Sequence, residues 1–379
     1  MKHDKLNIAV VGLRFGGAFV PIYHVHPQVA SVKVFDLNGE LARSFAERGL
    51  CDGVYSSFDD MLSDAELDAV HLVTPIPDHA RQAVAVLQAG KHCASTVPMA
   101  TSLQDIRELA RAVRVSGKNY MMMETTLYTY QYFYVQNMIS SGELGCIQFM
   151  RGSHYQDMSF WPDYWMGLPP MWYGTHAIGP MVGLSGSRIR RVHAFGSGTM
   201  DPDLVRRYGN PYPVETAIFA FDNGMKAEAT RSLFECARVY QEGLFVYGSK
   251  ACFEWGFSDG DKPYVTRLIP SEDSSRRGLD AKTEVMDMPN LYQSLPEPLW
   301  PFKVGGNFDP LRPNETLKIG AGGGHHGSHP HLVHEFVMSI LEERKPAVDF
   351  QMGANITAAG ICAHMSAIAD GQEIVVPEF

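Results

Sequence analysis

The sequence predicts an α/β plus α+β protein of two domains. The first, residues 1–126, is a doubly wound parallel sheet. The second, residues 127–379, is an open, mostly antiparallel sheet with helices. Three observations carry this reading. At 379 residues the chain is too long for one ordinary core. Its first third alternates short apolar runs with amphipathic helical stretches. After about residue 127 the pattern changes to longer strands joined by turns.

In chain order, "NIAVV" (7–11) reads as a buried strand that stops at Gly12, and "SVKVFDL" (31–37) as a second strand. "ELARSFAERGL" (40–50) has the apolar spacing of an amphipathic helix. "DAVHLVTP" (68–75) is a strand, and "DHARQAVAVLQAG" (78–90) a helix that Gly90 stops. "KHCAS" (91–95), "SLQDIRELARAVRVSG" (102–117) and "KNYMMMET" (118–125) continue as strand, helix and strand. This alternation implies right-handed βαβ units. In the second half, "CIQFMRGSHY" (146–155) opens the new sheet. Hairpins are expected around Asp222-Asn223-Gly224 and around Gly248-Ser249. Residues 256–330 are loop-rich, and "HLVHEFVMSILEER" (331–344) is a helix.

Bulk composition narrows the function. Apolar residues make up 45% and charged residues 20%, as in a globular, soluble chain. A formal net charge of -10 excludes a surface built for phosphate backbones or anionic membranes, so neither nucleic acid nor membrane is an expected partner. Cys51, Cys93, Cys146, Cys236, Cys252 and Cys362 are scattered without a C-x-x-C pair. That suits a reducing compartment and argues against a zinc knuckle. The N-terminal apolar run is too short for a spanning helix or a signal layout, so a cytoplasmic location is expected.

"VVGLRFGGAF" follows a strand and opens a helix, where a dinucleotide turn carries G-x-G-x-x-G. Gly12 and Gly17 hold the outer positions, and Arg14 replaces the middle glycine. Its guanidinium can aim at phosphate or at solvent. Arg14, Phe15 and Gly16 line this turn. Asp36 ends the second strand 24 residues after Gly12, where a carboxylate accepts from ribose hydroxyls. Leu37 and Asn38 follow with no arginine to hold a 2′-phosphate, so NAD is expected over NADP.

"VTPIPDHARQAVAVLQAGKH" resembles a stretch of the glucose–fructose oxidoreductase / inositol dehydrogenase / MocA (Gfo/Idh/MocA) family. The resemblance extends to Thr74, Pro75 and His79, to Gly90-Lys91-His92, to "GELGCIQFMRG" (142–152) and to "GTHAIGPMVGLSG" (174–186). It implies a Rossmann domain, a nicotinamide cofactor, and a second domain that often carries the interface of a homodimer or homotetramer. Thr96 and Glu124, at two further strand ends, join Gly12, Asp36, Thr74, Pro75 and His79 as expected cofactor neighbours.

The chain departs from the family where chemistry is done. The family's Glu-Lys-Pro is Thr96-Val97-Pro98, two family aspartates fall at Trp172 and Gly179, and a further histidine falls at Gly183. Val97 cannot move a proton, so another group must take the hydroxyl proton of an alcohol. His176 is retained and is the first candidate; Tyr173, three residues earlier, is the second. His154 shares a strand face with Gly152 and Gln156. Trp165 and Trp172, in the aromatic stretch 159–176, suit the apolar face of a sugar ring. His325 belongs to the histidine-rich stretch after the glycines at 320–324, expected to fold over a carbohydrate-like substrate. His331 and His334 have the spacing of a ligand pair, but no H-E-x-x-H is present and no metal is expected.

These features favour an NAD-dependent oxidoreductase acting on a secondary alcohol of a sugar, cyclitol or glycoside, with a non-lysine acid–base. A glycosidase or lyase that oxidises its substrate transiently with bound NAD is the alternative. A non-catalytic NAD-binding regulator is the third reading.

Overall fold

The structure is a computed structural model, and it describes residues 4–238, 240–256, 261–270, 278–289, 291–303 and 325–379. The chain divides into two compact units: Met1–Tyr130 with Asn290–Ala354 and Phe379, and Gln131–Pro289 with Asn355–Glu378.

The first unit starts with β1 (Leu6–Val11), the short α1 (Leu13–Gly16) and α2 (Val20–Val25). β2 (Val29–Phe35), α3 (Gly39–Glu47), β3 (Gly53–Val54), α4 (Phe58–Ser63) and β4 (Ala69–Leu72) follow. α5 (His79–Gln88), β5 (His92–Ser95), α6 (Leu103–Ser116) and β6 (Tyr120–Met122) complete the run. The six strands lie in the order β3-β2-β1-β4-β5-β6, and the pairings are parallel. β1 and β4 are buried almost throughout, as strands covered on both faces must be. Strand order reverses between β1 and β4, and their carboxyl ends form the crevice that such sheets use for ligands. The expected elements are all present, with their ends displaced by a few residues. The second strand runs 29–35 rather than 31–37, because Asn38 turns the chain and caps α3, accepting from the N–H groups of Glu40 and Leu41. α6 is bounded by Ser102, which accepts from the Asp105 N–H, and by Gly117 in the left-handed region.

The second unit contains α7 (Tyr130–Ser140) from Gln131 onward, β7 (Ile147–Tyr155), a 3-10 turn at Pro170–Tyr173, and α8 (Thr175–Ser185). β8 (Ile189–Ser197), α9 (Pro202–Tyr208), β9 (Val214–Phe221), β10 (Lys226–Ser232), β11 (Gln241–Gly248) and β12 (Ala251–Glu254) follow. β13 (Tyr264–Ile269) and β14 (Asp280–Val285) are two further strands inside the stretch expected to be loop. Both expected hairpins form, β9–β10 and β11–β12. The nine-stranded sheet runs β14-β13-β12-β11-β7-β10-β9-β8-β15, with β15 at Ile374–Val375. Its one parallel pairing is β7 with β10. Burial alternates along β8, β9 and β10, so one face is covered and the other is open, exposing Phe195 and Ile218.

The chain then supplies α10 (Ser328–Leu341) and α11 (Phe350–Ile368). A contiguous second domain over 127–379 is not what the contacts give, because residues 290–354 cluster with the first unit. The ties are specific. Met122 donates its N–H to Val348 O, Met121 bridges to Asp349, and Asn119 Nδ2 donates to Arg344 O.

Candidate active site

In the first unit the site begins at the glycine turn. Gly12 has φ 85°, and a Cβ there would collide with the Val73 carbonyl, so only glycine lets β1 turn against β4. Arg14 is exposed on the turn, Phe15 is half-buried and Gly16 is buried. Asp36 stands just past the end of β2. Its Oδ2 accepts the Leu13 N–H at 2.7 Å and its Oδ1 the Asn38 N–H at 2.7 Å. Each oxygen keeps a lone pair for a ribose hydroxyl. Thr74 donates its hydroxyl to Gln82 at 2.6 Å, and Thr74, Pro75 and Thr96 all remain half-exposed at the strand ends.

Two further expected cofactor residues are held by local hydrogen bonds. His79 is buried, with Nδ1 2.8 Å from Pro98 O and Nε2 2.7 Å from Thr74 O. It braces the loops after β4 and β5 rather than reaching outward. Glu124 is fully buried and caps the turn at Thr125–Tyr128, accepting from the Thr126 N–H and hydroxyl. Val97 is 7% exposed, so the family's lysine position is an apolar, nearly closed one here.

The histidine-rich stretch also lies in the first unit. His325 meets the Phe15 ring at 5.7 Å, and its Nδ1 lies 3.2 Å from His329 Nε2. His325 thus packs beside the glycine turn. The glycines at 320–324 lie outside the described residues. His331 and His334 do not converge: His334 pairs with His26 at 3.0 Å, whereas His331 sits against the Tyr130 ring. Deeper in, the Phe19 ring lies 4.8 Å from His71 and 4.5 Å from His329.

Burial holds His26 and His71 down at about 3 and His331 at about 4, and also lowers His329 and His334. The neutral rings are favoured in the fold, whereas the unfolded chain takes up protons near the ordinary value of 6.5. Their contribution to stability is therefore complete above that value. It is lost as pH falls toward the folded values, by about 1.4 kcal/mol per pH unit per histidine. The denaturation midpoint of the first unit is expected to drop steeply between about pH 6.5 and pH 4.5. A flat midpoint over that window would contradict the buried neutral cluster.

In the second unit the sheet register assembles a row of polar groups on the covered face. Glu215 on β9 lies opposite Arg231 on β10, Arg231 opposite His154 on β7, and His154 opposite Glu242 on β11. Registered neighbours point to the same side. Their exposures are 0, 0, 0 and 4%. Gly152, on the same face as His154, allows α8 to lie directly on β7, because any Cβ there would strike Ala177 O. The segment 170–176 is thereby laid across the row. Met171 donates its N–H to Glu215 at 2.8 Å, Arg231 Nε donates to Tyr173 O at 3.0 Å, and the His176 ring stands 4.9 Å from that of His154.

Tyr173 and His176 come together as expected, the phenol oxygen 3.3 Å from His176 Nε2. A His176 nitrogen also lies within 4.8 Å of a Glu242 oxygen. Trp165 joins them, its ring 4.9 Å from Tyr173. Trp172 does not, and packs between Tyr208 and His364, whose Nδ1 is hydrogen-bonded to Glu215 at 2.6 Å. Consecutive residues of a tight turn face different ways, so Trp172 and Tyr173 cannot share one wall.

The sequence reading missed Arg231, Glu242, Tyr240 and Glu215. Arg231 has no carboxylate partner among the described residues. Nη1 donates to His154 O at 3.1 Å and Nη2 to Gln156 Oε1 at 3.3 Å, and the guanidinium lies 5.1 Å from the Tyr173 ring. Burial lowers it to about 10, while Tyr173, Tyr240 and Glu242 favour its charged form. The usable signal was strand phase. Glu215 and Arg231 fall on the inward beat of strands otherwise filled by Ala217, Phe219, Ala227 and Ala229.

Comparison with known proteins bears on both units. Residues 6–124 match a family model described as "Oxidoreductase family, NAD-binding Rossmann fold". The chain is 25% identical over 231 residues to "Glycosyl hydrolase family 109 protein 1" of Phocaeicola vulgatus, covering 55% of this chain and 49% of that protein. It is 25% identical over 276 residues to a "1-carboxy-3-chloro-3,4-dihydroxycyclo hexa-1,5-diene dehydrogenase" of Comamonas testosteroni, covering 70% and 65%. The match thus spans about half of the first relative's length, 49%, and just under two thirds of the second's, 65%. Among solved structures, a levoglucosan dehydrogenase in complex with NADH and levoglucosan has the same fold. Its TM-score is 0.74 and its identity 21%, over 99% of this chain and 100% of that one.

Proposed function

We propose, from the match of residues 6–124 to the Gfo/Idh/MocA oxidoreductase model, that the chain is an NAD-dependent oxidoreductase acting on a secondary alcohol of a sugar, cyclitol or glycoside. The observation that carries the proposal is the constellation of the buried His154, His176 and Glu242 with the half-buried Tyr173, present in a chain whose lysine position holds Val97.

The first unit's residues fit the cofactor. The Gly12 turn admits a close approach, and Asp36 accepts from ribose hydroxyls. A 2′-phosphate beside that carboxylate is repelled, which favours NAD over NADP. When bound, NAD supplies a nicotinamide ring that takes a hydride from carbon.

The second unit's residues handle the proton. His176 Nε2 takes the hydroxyl proton as the C–H pair leaves and the C–O bond becomes a carbonyl. Tyr173, whose phenol oxygen lies 3.3 Å from that nitrogen, orients the ring. Arg231 lies over the Tyr173 ring and donates to the Tyr173 carbonyl, which holds that residue in place. Trp165 offers its face to the apolar side of the sugar ring.

A second reading is favoured by one observation, the similarity to proteins named glycosyl hydrolases. In it the oxidised sugar loses its aglycone and is then reduced again, with no net redox change. The protein incubated with NAD and a panel of polyols and glycosides is expected to form NADH, and to form less NADPH from NADP. Glycoside cleavage without accumulating NADH would replace the first reading by the second. Tight NAD binding with neither reaction would contradict both.

A further inference from the structure

We infer that Glu242 reads a substrate hydroxyl adjacent to the one that reacts, so that the site selects a vicinal diol; this rests on the polyol reading above. Glu242 stands on β11 opposite His154 and is 4% exposed. Its two oxygens are differently engaged. Oε1 accepts from the Tyr240 hydroxyl. Oε2 is buried and has no hydrogen-bond partner among the described residues.

Buried carboxylate oxygens without a donor are rare in native proteins, because their lost hydration goes uncompensated. Such an oxygen marks a place where a donor arrives. The group it receives must be a donor that is small enough for a nearly closed position and neutral enough to sit beside Arg231. A sugar or cyclitol hydroxyl meets these conditions. The charge on Glu242 is balanced within the row by Arg231, which forms no ion pair of its own among the described residues.

Geometry then sets the specificity. A Glu242 oxygen and a His176 nitrogen lie within 4.8 Å of each other. Two hydroxyls on neighbouring ring carbons span this gap, one given to His176 for oxidation and the other to Glu242 for orientation. A lone alcohol reaches only one of the two groups.

The test is calorimetric titration of NADH-loaded protein with levoglucosan, myo-inositol and a set of monodeoxy-inositols. Binding is read without turnover, so failure here is separable from failure to form NADH. Wild type is expected to bind myo-inositol about tenfold more tightly than the analogue lacking the neighbouring hydroxyl, the worth of one charge-assisted hydrogen bond. Glu242→Gln is expected to lose that discrimination while keeping its affinity for NADH. Glu242→Asp, which keeps the charge but withdraws it by one methylene, serves if the amide variant does not fold, and is expected to bind all the polyols more weakly. The inference is overturned if Glu242→Gln still discriminates between the diol and its deoxy analogue, if its loss is the same for every deoxy position, or if wild type binds none of these polyols.

Discussion

His176→Ala lowers kcat by about 10²–10⁴-fold and leaves NAD affinity essentially unchanged. The size follows from what a positioned base contributes when nothing nearby replaces it. His176 is 4% exposed, at the start of α8, with its Nε2 against the Tyr173 phenol. Val97 offers no proton carrier at the family's usual place. Cofactor affinity is spared because Gly12 and Asp36 belong to the first unit. Tyr173→Phe is expected to cost less, since the phenol supports the imidazole rather than replacing it. Steady-state kinetics beside a direct NAD titration checks both variants. Full activity in His176→Ala would remove it from the role.

Arg231→Met is expected to destabilise the second unit by about 3 kcal/mol, among the larger effects of a single substitution. Methionine fills similar volume, so the loss is chiefly polar. The carbonyls of Tyr173 and His154 and the Gln156 amide oxygen would each lose the donor that the fully buried Arg231 supplies. Glu242 would also lose the cation that balances it. Arg231→Lys keeps the charge but cannot fork to three acceptors, and should fall between methionine and wild type. Chemical denaturation with an unchanged m-value measures this. A methionine variant as stable as wild type would mean that the polar row does not organise the segment 170–176.

Much of the first unit was legible because its signals are local. The Gly12 turn, the carboxylate of Asp36 at a strand end, and the caps Ser102 and Gly117 each act within a few residues. The pair Tyr173 and His176 was legible for the same reason, being one turn apart. Glu215, Arg231 and Glu242 were not, because register between separate strands brings them to His154 and no spacing along the chain encodes it. The return of residues 290–354 to the first unit was hidden likewise. It depends on backbone ties from Met122 to Val348 and from Asn119 to Arg344. Glu124 and His79 stand beside strand ends, as the sequence implies, but the local groups each also holds in place could not be read from spacing.

The central claim is that this chain moves a hydride between a polyol carbon and NAD without a catalytic lysine. Isotope transfer tests it most directly. Purified protein is incubated with NAD and a polyol deuterated at its carbinol carbon, and the cofactor is examined by mass spectrometry. The account predicts deuterium in the NADH in wild type, formed about 10²–10⁴-fold more slowly in His176→Ala. Unlabelled cofactor from wild type, with the polyol and its deuterium intact, would contradict it.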